Sequence, residues 1–485
     1  MNTPKPPGPN PQTNNRWSHQ ALRYRLLSGR WQGDLEQALK EVLPADRRAV
    51  WASVDMSSNI FKASCQALAA LYDSAPTVSH TQNIDQLTGR DQLLDRAGLF
   101  PMLSQLQYLT IGLNECLLKI DIAADGQNLC YRIVTPDTVY AEQPPGYREP
   151  NFLYELRLRK GKDKVIWTAD VFDLRDPANP SFKIKAVSSS GELTTDLTEM
   201  YTGQTFEGPE YPYRDQQGQP FLPYALYHSK LHGDLWDPYH NAECAQGAIC
   251  AATQMCFYQH IILDASWPQR YVAGLTLPVG AYDTDSSARR TAIATDPASI
   301  LCFVPDPSSE GMGQQLVGQF QAGGDPETVL NSIVIYERRL AQQMGISSGD
   351  VTRLSGDPRS GFSLSISRES TRENQRKQST AARYGDLQTL EKSAKMANRF
   401  LGASLPESGY SIEYTAIPLG PTELQAQRED LIAKLQNGLI DPVSAILTLH
   451  PDWDAETAIN YLSSIEEGRK RFPFMYQQPQ QTQGF

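Results

Sequence analysis

The chain is poor in the residues and spacings from which recognisable enzyme sites are built. Its seven cysteines, at 65, 116, 130, 244, 250, 256 and 302, are odd in number and form no C-x-x-C pair. That argues against a disulfide framework or a zinc ribbon, and reduced thiols are expected. No Walker A pattern occurs: the Gly161-Lys162 pair lacks the upstream glycine. There is no G-x-G-x-x-G, no G-x-S-x-G and no H-E-x-x-H, so the ready-made nucleotide, acyl-transfer and zinc-protease sites are missing and no cofactor is expected. Surplus positive charge is missing too. Lys and Arg number 44 against 55 Asp and Glu, a net charge of -11, so nucleic-acid contact must come from local basic patches. The most apolar stretch, near 247–263, is broken by Gln254, Gln259 and His260, short of the ~20 residues a membrane span needs. No membrane partner is expected. The opening MNTPKPPGPNPQTNN has no apolar core, so a secretory signal is not expected.

What is present reads as a globular α+β chain of several modules. At about 100–200 residues per domain, 485 residues suggest about three domains or one elongated series. Residues 1–15 carry Pro4, Pro6, Pro7, Pro9 and Pro11 and are expected to be a disordered arm. Helical periodicity follows over 17–30, 34–43, 45–73 and 91–113, with Pro101 a predicted kink. The period then changes to two. Strands are predicted at 117–122 and 129–134 around Asp125-Gly126. Tyr154, Leu156 and Leu158 alternate with Glu155, Arg157 and Arg159, and Val165, Trp167, Ala169 and Val171 continue the pattern as a half-exposed antiparallel hairpin. Strands at 181–187 and 220–228 complete a β-rich module over about 115–230.

Residues 238–264 return to helix, with an unusual run of small side chains, among them Ala245, Ala248, Ala251 and Ala252. Small residues let helices approach closely. Two readings stand: a helix buried in the core of one chain, or a helix packed on copies of itself in a ring. Cys244, Cys250 and Cys256 do not share a helix face and are expected to be buried small residues. Residues 265–325 are irregular and strand-like, clearest at 299–305. A helix over 326–345 has Pro326 in its first turn and Gly345 as its cap. A polar loop, 346–361, precedes a long helix, 362–402, and a strand at 410–417. Three short helices follow: 421–436 ending at Asn437-Gly438, one starting at Asp441-Pro442, and one over 454–470. The tail, 471–485, is expected to be flexible.

Chemistry-bearing residues are sparse. His228 and His232 are four apart, with His240, Asp234 and Asp237 near, but Gly233 and Pro238 make the segment a loop, and no metal site is expected. Charge is placed unevenly. Residues 351–400 hold seven Arg and three Lys against two Asp and three Glu, while 401–470 hold four basic against eleven acidic residues. Arg368, Arg372, Arg376 and Arg383 fall on one helix face, as a structural stripe facing solvent or subunits or, alternatively, as a DNA-facing stripe. Arg353 and Arg359, flanking Ser355 and Gly356, lie in the loop, where weak phosphate contact without sequence readout is expected.

The order of these modules resembles a tailed-bacteriophage portal protein, the head-to-tail connector. VTPDTVYAE at 134–142 and FLPYALYH at 221–228 resemble wing strands of that family, and 421–470 resembles its helical crown. The resemblance implies a wing over 16–237, stem helices at 238–264 and 326–345 with a clip at 265–325 between them, a tunnel loop at 346–361, and a long wing helix with its return strand at 362–420. It implies a ring, usually of twelve subunits, without catalytic activity. Double-stranded DNA passes through it at one capsid vertex during packaging and ejection. The terminase large subunit and a head-tail adaptor dock on the clip, and major capsid and scaffold proteins surround the wing. The implied place is the virion, with the host cytoplasm during assembly. Ala245, Ala248, Ala251 and Ala252 become intersubunit residues, and Arg353, Ser355, Gly356 and Arg359 channel-loop residues. A non-portal virion adaptor and an uncharacterised hydrolase are the alternatives.

Overall fold

A computed structural model of the 485-residue chain describes residues 11–43, 54–81, 93–95, 97–144, 149–161, 165–188, 191–230, 242–266, 269–273, 300–303, 316–320, 325–346, 361–415, 421–450 and 453–471. The chain divides into two units. One takes in residues 1–356 and 370–415, the other 357–369 and 416–485.

The first unit opens with α1 (Pro11–Ser28) and α2 (Gln32–Val42). Residues 11–15, expected in the disordered arm, are helical: Pro11 stands at the first helical position, where its missing amide hydrogen has no intrahelical partner to lose. The predicted helix over 45–73 is replaced by the nine-residue α3 (Ile60–Leu68), whose first turn is capped by Asn59 accepting from the Lys62 amide at 2.9 Å. Residues 54–59 are not helical, and 44–53 lie outside the described residues. The predicted helix over 91–113 is also interrupted. Gly98 adopts a left-handed φ of 67°, and α4 (Leu99–Leu113) starts after it. Pro101 therefore lies in a first turn, where it costs no hydrogen bond, and makes no kink.

The strands are β1 (Thr77–His80), β2 (Glu115–Ile122), β3 (Leu129–Val134), β4 (Val139–Glu142), β5 (Phe152–Lys160), β6 (Val165–Asp173), β7 (Ser181–Val187) and β8 (Leu193–Asp196). After a short α5 (Thr198–Thr202) come β9 (Phe206–Glu207) and β10 (Tyr224–His228). They form two separate sheets, β10-β2-β3 and β4-β5-β6-β7-β8, with β9 on β7. Leu117, Val134, Leu153, Phe172, Phe182 and Leu226 fill the space between them. Trp17 of α1 packs with Tyr154 and Leu156 on the other face of the larger sheet. Leu118 and Ile120, alternating with Leu117 along β2, join the helical core instead.

Next come α6 (Ala242–Ser266), β11 (Gln269–Ala273), β12 (Ile300–Phe303), β13 (Leu316–Phe320) and α7 (Pro326–Gln343). β11 lies between a parallel β12 and an antiparallel β13, so one small mixed sheet sits in the connection between two helices. Asp325 caps α7 by accepting from the Thr328 amide at 3.2 Å, and Gly345 has φ 89° after its last turn. The 41-residue α8 (Gly361–Leu401) passes from the second unit into the first, and β14 (Tyr410–Glu413) pairs antiparallel with β1.

The second unit holds α9 (Pro421–Gln436), α10 (Pro442–Leu449) and α11 (Ala455–Arg471). The predicted punctuation is there: Gly438 has φ 66°, and Asp441 accepts from the Val443 and Ser444 amides, both at 3.1 Å. Leu431, Ala445 and Ala458 are its buried apolar residues among those described.

Candidate functional site

The predicted channel-loop residues Arg353, Ser355, Gly356 and Arg359 lie outside the described residues, as do His232, His240 and most of the clip. The other predicted residues can be placed.

Ala245, Ala248, Ala251 and Ala252 are not available to a neighbouring subunit. All four are buried within a single chain, Ala251 and Ala252 completely. α6 packs on α1, α2, α3 and α7, and a Cβ on Gly247 would stand 2.5 Å from Leu340 Cδ2. Small side chains are needed here because α7 approaches closely, which corrects the intersubunit expectation in favour of the single-chain reading. Cys244 and Cys256 are buried with them, whereas Cys250 is exposed, contrary to expectation: six-residue steps set the three about 120° apart, and only Cys250 falls outside the packed sides of α6. Ala251→Leu should therefore lower the stability of the chain itself by ~1–3 kcal/mol through overpacking. A denaturant melt indistinguishable from wild type would contradict this placement.

The arginine stripe does not act as one surface. Arg372 is buried, Arg376 and Arg383 are exposed, and the side chain of Arg368 lies outside the described residues. Among the described residues neither Arg376 nor Arg383 forms an ion pair. Steps of four, four and seven put these residues on one face, but burial changes along so long a helix. Glu373 and Lys377, four apart on the same helix, pair at 2.7 Å.

Two polar assemblies that sequence reasoning missed carry most of the buried charge. The first lies between the two sheets. Lys119 and Arg132 are directly opposite on β2 and β3, and Glu155 and Asp170 are directly opposite on β5 and β6. Each like-charged pair is unfavourable within its own sheet. Facing each other, the pairs compensate: Arg132 meets Glu155 at 2.6 Å, and Lys119 meets Asp170 at 3.6 Å. Arg159 and Arg157 add contacts to Asp170 at 2.5 and 3.4 Å. The hairpin's polar side was expected to face solvent. Instead Glu155 is buried, and Leu158 on the opposite side is half exposed. Alternation reveals that two faces differ; it does not reveal that a second charged sheet covers the polar one. Burial works against the charged form of Asp170, but Lys119, then Arg159 and Arg157, hold its carboxyl below the ordinary range.

The second assembly is the contact of α8 with β10. β10 is an edge strand, and its outward backbone groups would be unpaired without a cover. α8 supplies side chains in place of a further strand. Gln388 accepts from the Leu226 amide at 3.0 Å, and Lys392 donates to the Tyr224 carbonyl at 2.7 Å. Ser393 meets the Tyr131 hydroxyl at 2.9 Å. Asp386 accepts from Tyr227 at 2.9 Å and Tyr72 at 2.8 Å. A signal did exist in the sequence: Asp386 is four and eight residues before Leu390 and Ala394, on the apolar face of the helix.

Among the described residues, no three His, Cys, Asp or Glu side chains gather closely enough to hold a metal ion, and no helix is long and apolar enough to cross a membrane.

No protein-family model matches the chain, and no curated protein matches it. Similar solved structures include a chain in the virion of the native gene transfer agent (GTA) particle. It is 13% identical with a TM-score of 0.39, over 84% of this chain and 94% of that one. Another is a chain in the neck of the native GTA particle solved with C12 symmetry, 12% identical with a TM-score of 0.41, over 84% and 93%. Scores at this level establish neither a shared fold nor a shared activity.

Proposed function

We propose that the chain is a portal subunit. In this reading, twelve copies form a ring at one capsid vertex, through which double-stranded DNA is packaged and ejected. The ring assembles in the host cytoplasm and remains in the virion. The observation that supports this best is how α6 and α7 are connected. They pack as a helix pair, their connection carries the β11–β13 sheet, and the 41-residue α8 follows α7 across residues 344–360. That is the stem, clip, stem and long-helix order of the family the sequence resembles. The clip would receive the terminase large subunit and later the head-tail adaptor, and capsid and scaffold proteins would surround the β-rich module. Arg353 and Arg359 would brush passing phosphates, weakly and without sequence preference.

Negative-stain electron microscopy of the purified full chain tests this reading. Rings with a central hole of duplex width are expected. Particles that stay monomeric across concentration and salt, or that close without a hole, would refute it.

A further inference from the structure

Asp386 lies within α8 at 2% exposure. Three tyrosines from three other segments converge on its carboxyl group. Tyr72, just after α3, and Tyr414, just after β14, donate to Oδ2 at 2.8 and 2.6 Å, and Tyr227 of β10 donates to Oδ1 at 2.9 Å. The Tyr227 hydroxyl also meets Thr389 Oγ1 at 2.7 Å. Among the described residues no cation pairs with the carboxylate. The titratable and charged groups around it are the three phenols, Arg383 on the preceding turn of α8, which acts on the Tyr414 hydroxyl, and His228 of β10 on the wall of the adjoining cavity. A cavity of about 20 Å³ lies beside the cage, lined by Tyr72, Gln107, Thr110, Tyr227, His228 and Gln378 among others. Its size admits one water molecule, which would give a proton a path to the cage.

A buried carboxylate with hydrogen bonds but no counter-ion is costly to keep charged. Its neutral form needs no counter-ion and keeps hydrogen bonds to the same hydroxyls. These three segments and α8 therefore meet at a group whose charge state the fold does not treat as neutral in energy.

We propose that the three-tyrosine cage is a proton-operated latch, in which protonated Asp386 holds residues 381–397 of α8 most firmly and ionised Asp386 favours a local opening that hydrates it. This inference does not depend on the portal reading. Burial pushes the Asp386 carboxyl up to about 6, against the opposing pull of the Tyr414, Tyr72 and Tyr227 hydrogen bonds. The closed form thus binds the proton more tightly than an opened, hydrated form near the ordinary 3.8. Latching is complete below that ordinary value, weakens as pH rises toward 6 and is level above about 7. Between pH 5 and pH 8 the opening equilibrium should rise ~10-fold.

Hydrogen–deuterium exchange on the full chain from pH 5 to pH 8, corrected for intrinsic exchange rates, reads this opening in peptides covering 381–397. In wild type, the opening equilibrium is expected to rise about tenfold and then level off. Asp386→Asn should remove the pH dependence. Tyr414→Phe removes one donor to the charged carboxylate, so the levelling should move to higher pH, a shift that a purely structural role for Tyr414 would not produce. An Asp386→Asn protein that keeps the wild-type pH profile overturns the proposal. So does a Tyr414→Phe protein whose profile levels at the wild-type pH, and that variant decides alone if Asp386→Asn does not fold.

Discussion

Asp170→Asn is expected to cost about 3 kcal/mol of folding stability, because removing the buried partner of an ion pair leaves the other charge undercompensated. Lys119, at 4% exposure with its ammonium 3.6 Å from Asp170, has little room to reach water. Lys119 keeps Asp121 at 3.7 Å, but that carboxylate is half exposed and solvated, and the ammonium lies 5.6 Å from the Tyr224 ring centroid, a contact too weak to replace a buried carboxylate. Arg157 and Arg159 are more exposed and can turn outward, so the loss falls mainly on Lys119. The pH dependence has a definite sign. The Asp170 carboxyl is held below its ordinary 3.8, so its contribution is present above that pH and is lost as pH falls through the folded value. Urea melts at pH 7 and pH 3 check both parts. The gap between wild type and Asp170→Asn should be wide at the first pH and narrower at the second. Equal gaps would mean that Asp170 is not paired as described.

Gly385→Val is expected to destabilise by ~3 kcal/mol, at the upper end of overpacking costs. A Cβ at this position would stand 2.6 Å from Tyr227 Cδ1 and 2.8 Å from Cε1, and the ring cannot simply step aside. Its hydroxyl is held by Asp386 and Thr389, and its backbone is paired with Cys116 of β2. Gly385→Ala should lose less, because alanine regains ~1 kcal/mol of helix propensity against a smaller intrusion. Thermal melts of both variants beside wild type provide the comparison. A Gly385→Val protein as stable as wild type would show that α8 does not lie flush on β10.

The parts of the molecule legible in its sequence are those governed by neighbours along the chain. Asn437-Gly438 and Asp441-Pro442 marked a helix end and a helix start because a left-handed residue and a side-chain cap are local requirements. Alternation over 152–173 identified the β5–β6 hairpin because strand side chains change face at every residue. Pro11 and Pro101 were misread because proline breaks a helix in its interior but is accommodated in its first turn, and only the observed helix starts, Pro11 and Leu99, separate the two cases.

The sequence by itself determined an α+β chain, the change from helical to strand period near residue 115, and the order helix, small strands, helix, long helix. It did not determine what any face would meet. Small residues along 242–256 permit close approach but are silent on whether the partner is α7 or another subunit, and Leu340 against Gly247 decided it. Glu155 looked like a solvent-facing residue until Lys119 and Arg132, more than twenty residues away in sequence, came to lie opposite it and Asp170. Asp386 acquired its surroundings from Tyr72, Tyr227 and Tyr414, the first 314 residues away. Local conformation follows from backbone sterics and side-chain periodicity. Burial, pairing and protonation follow from which surfaces meet, and that is set only when the whole chain packs.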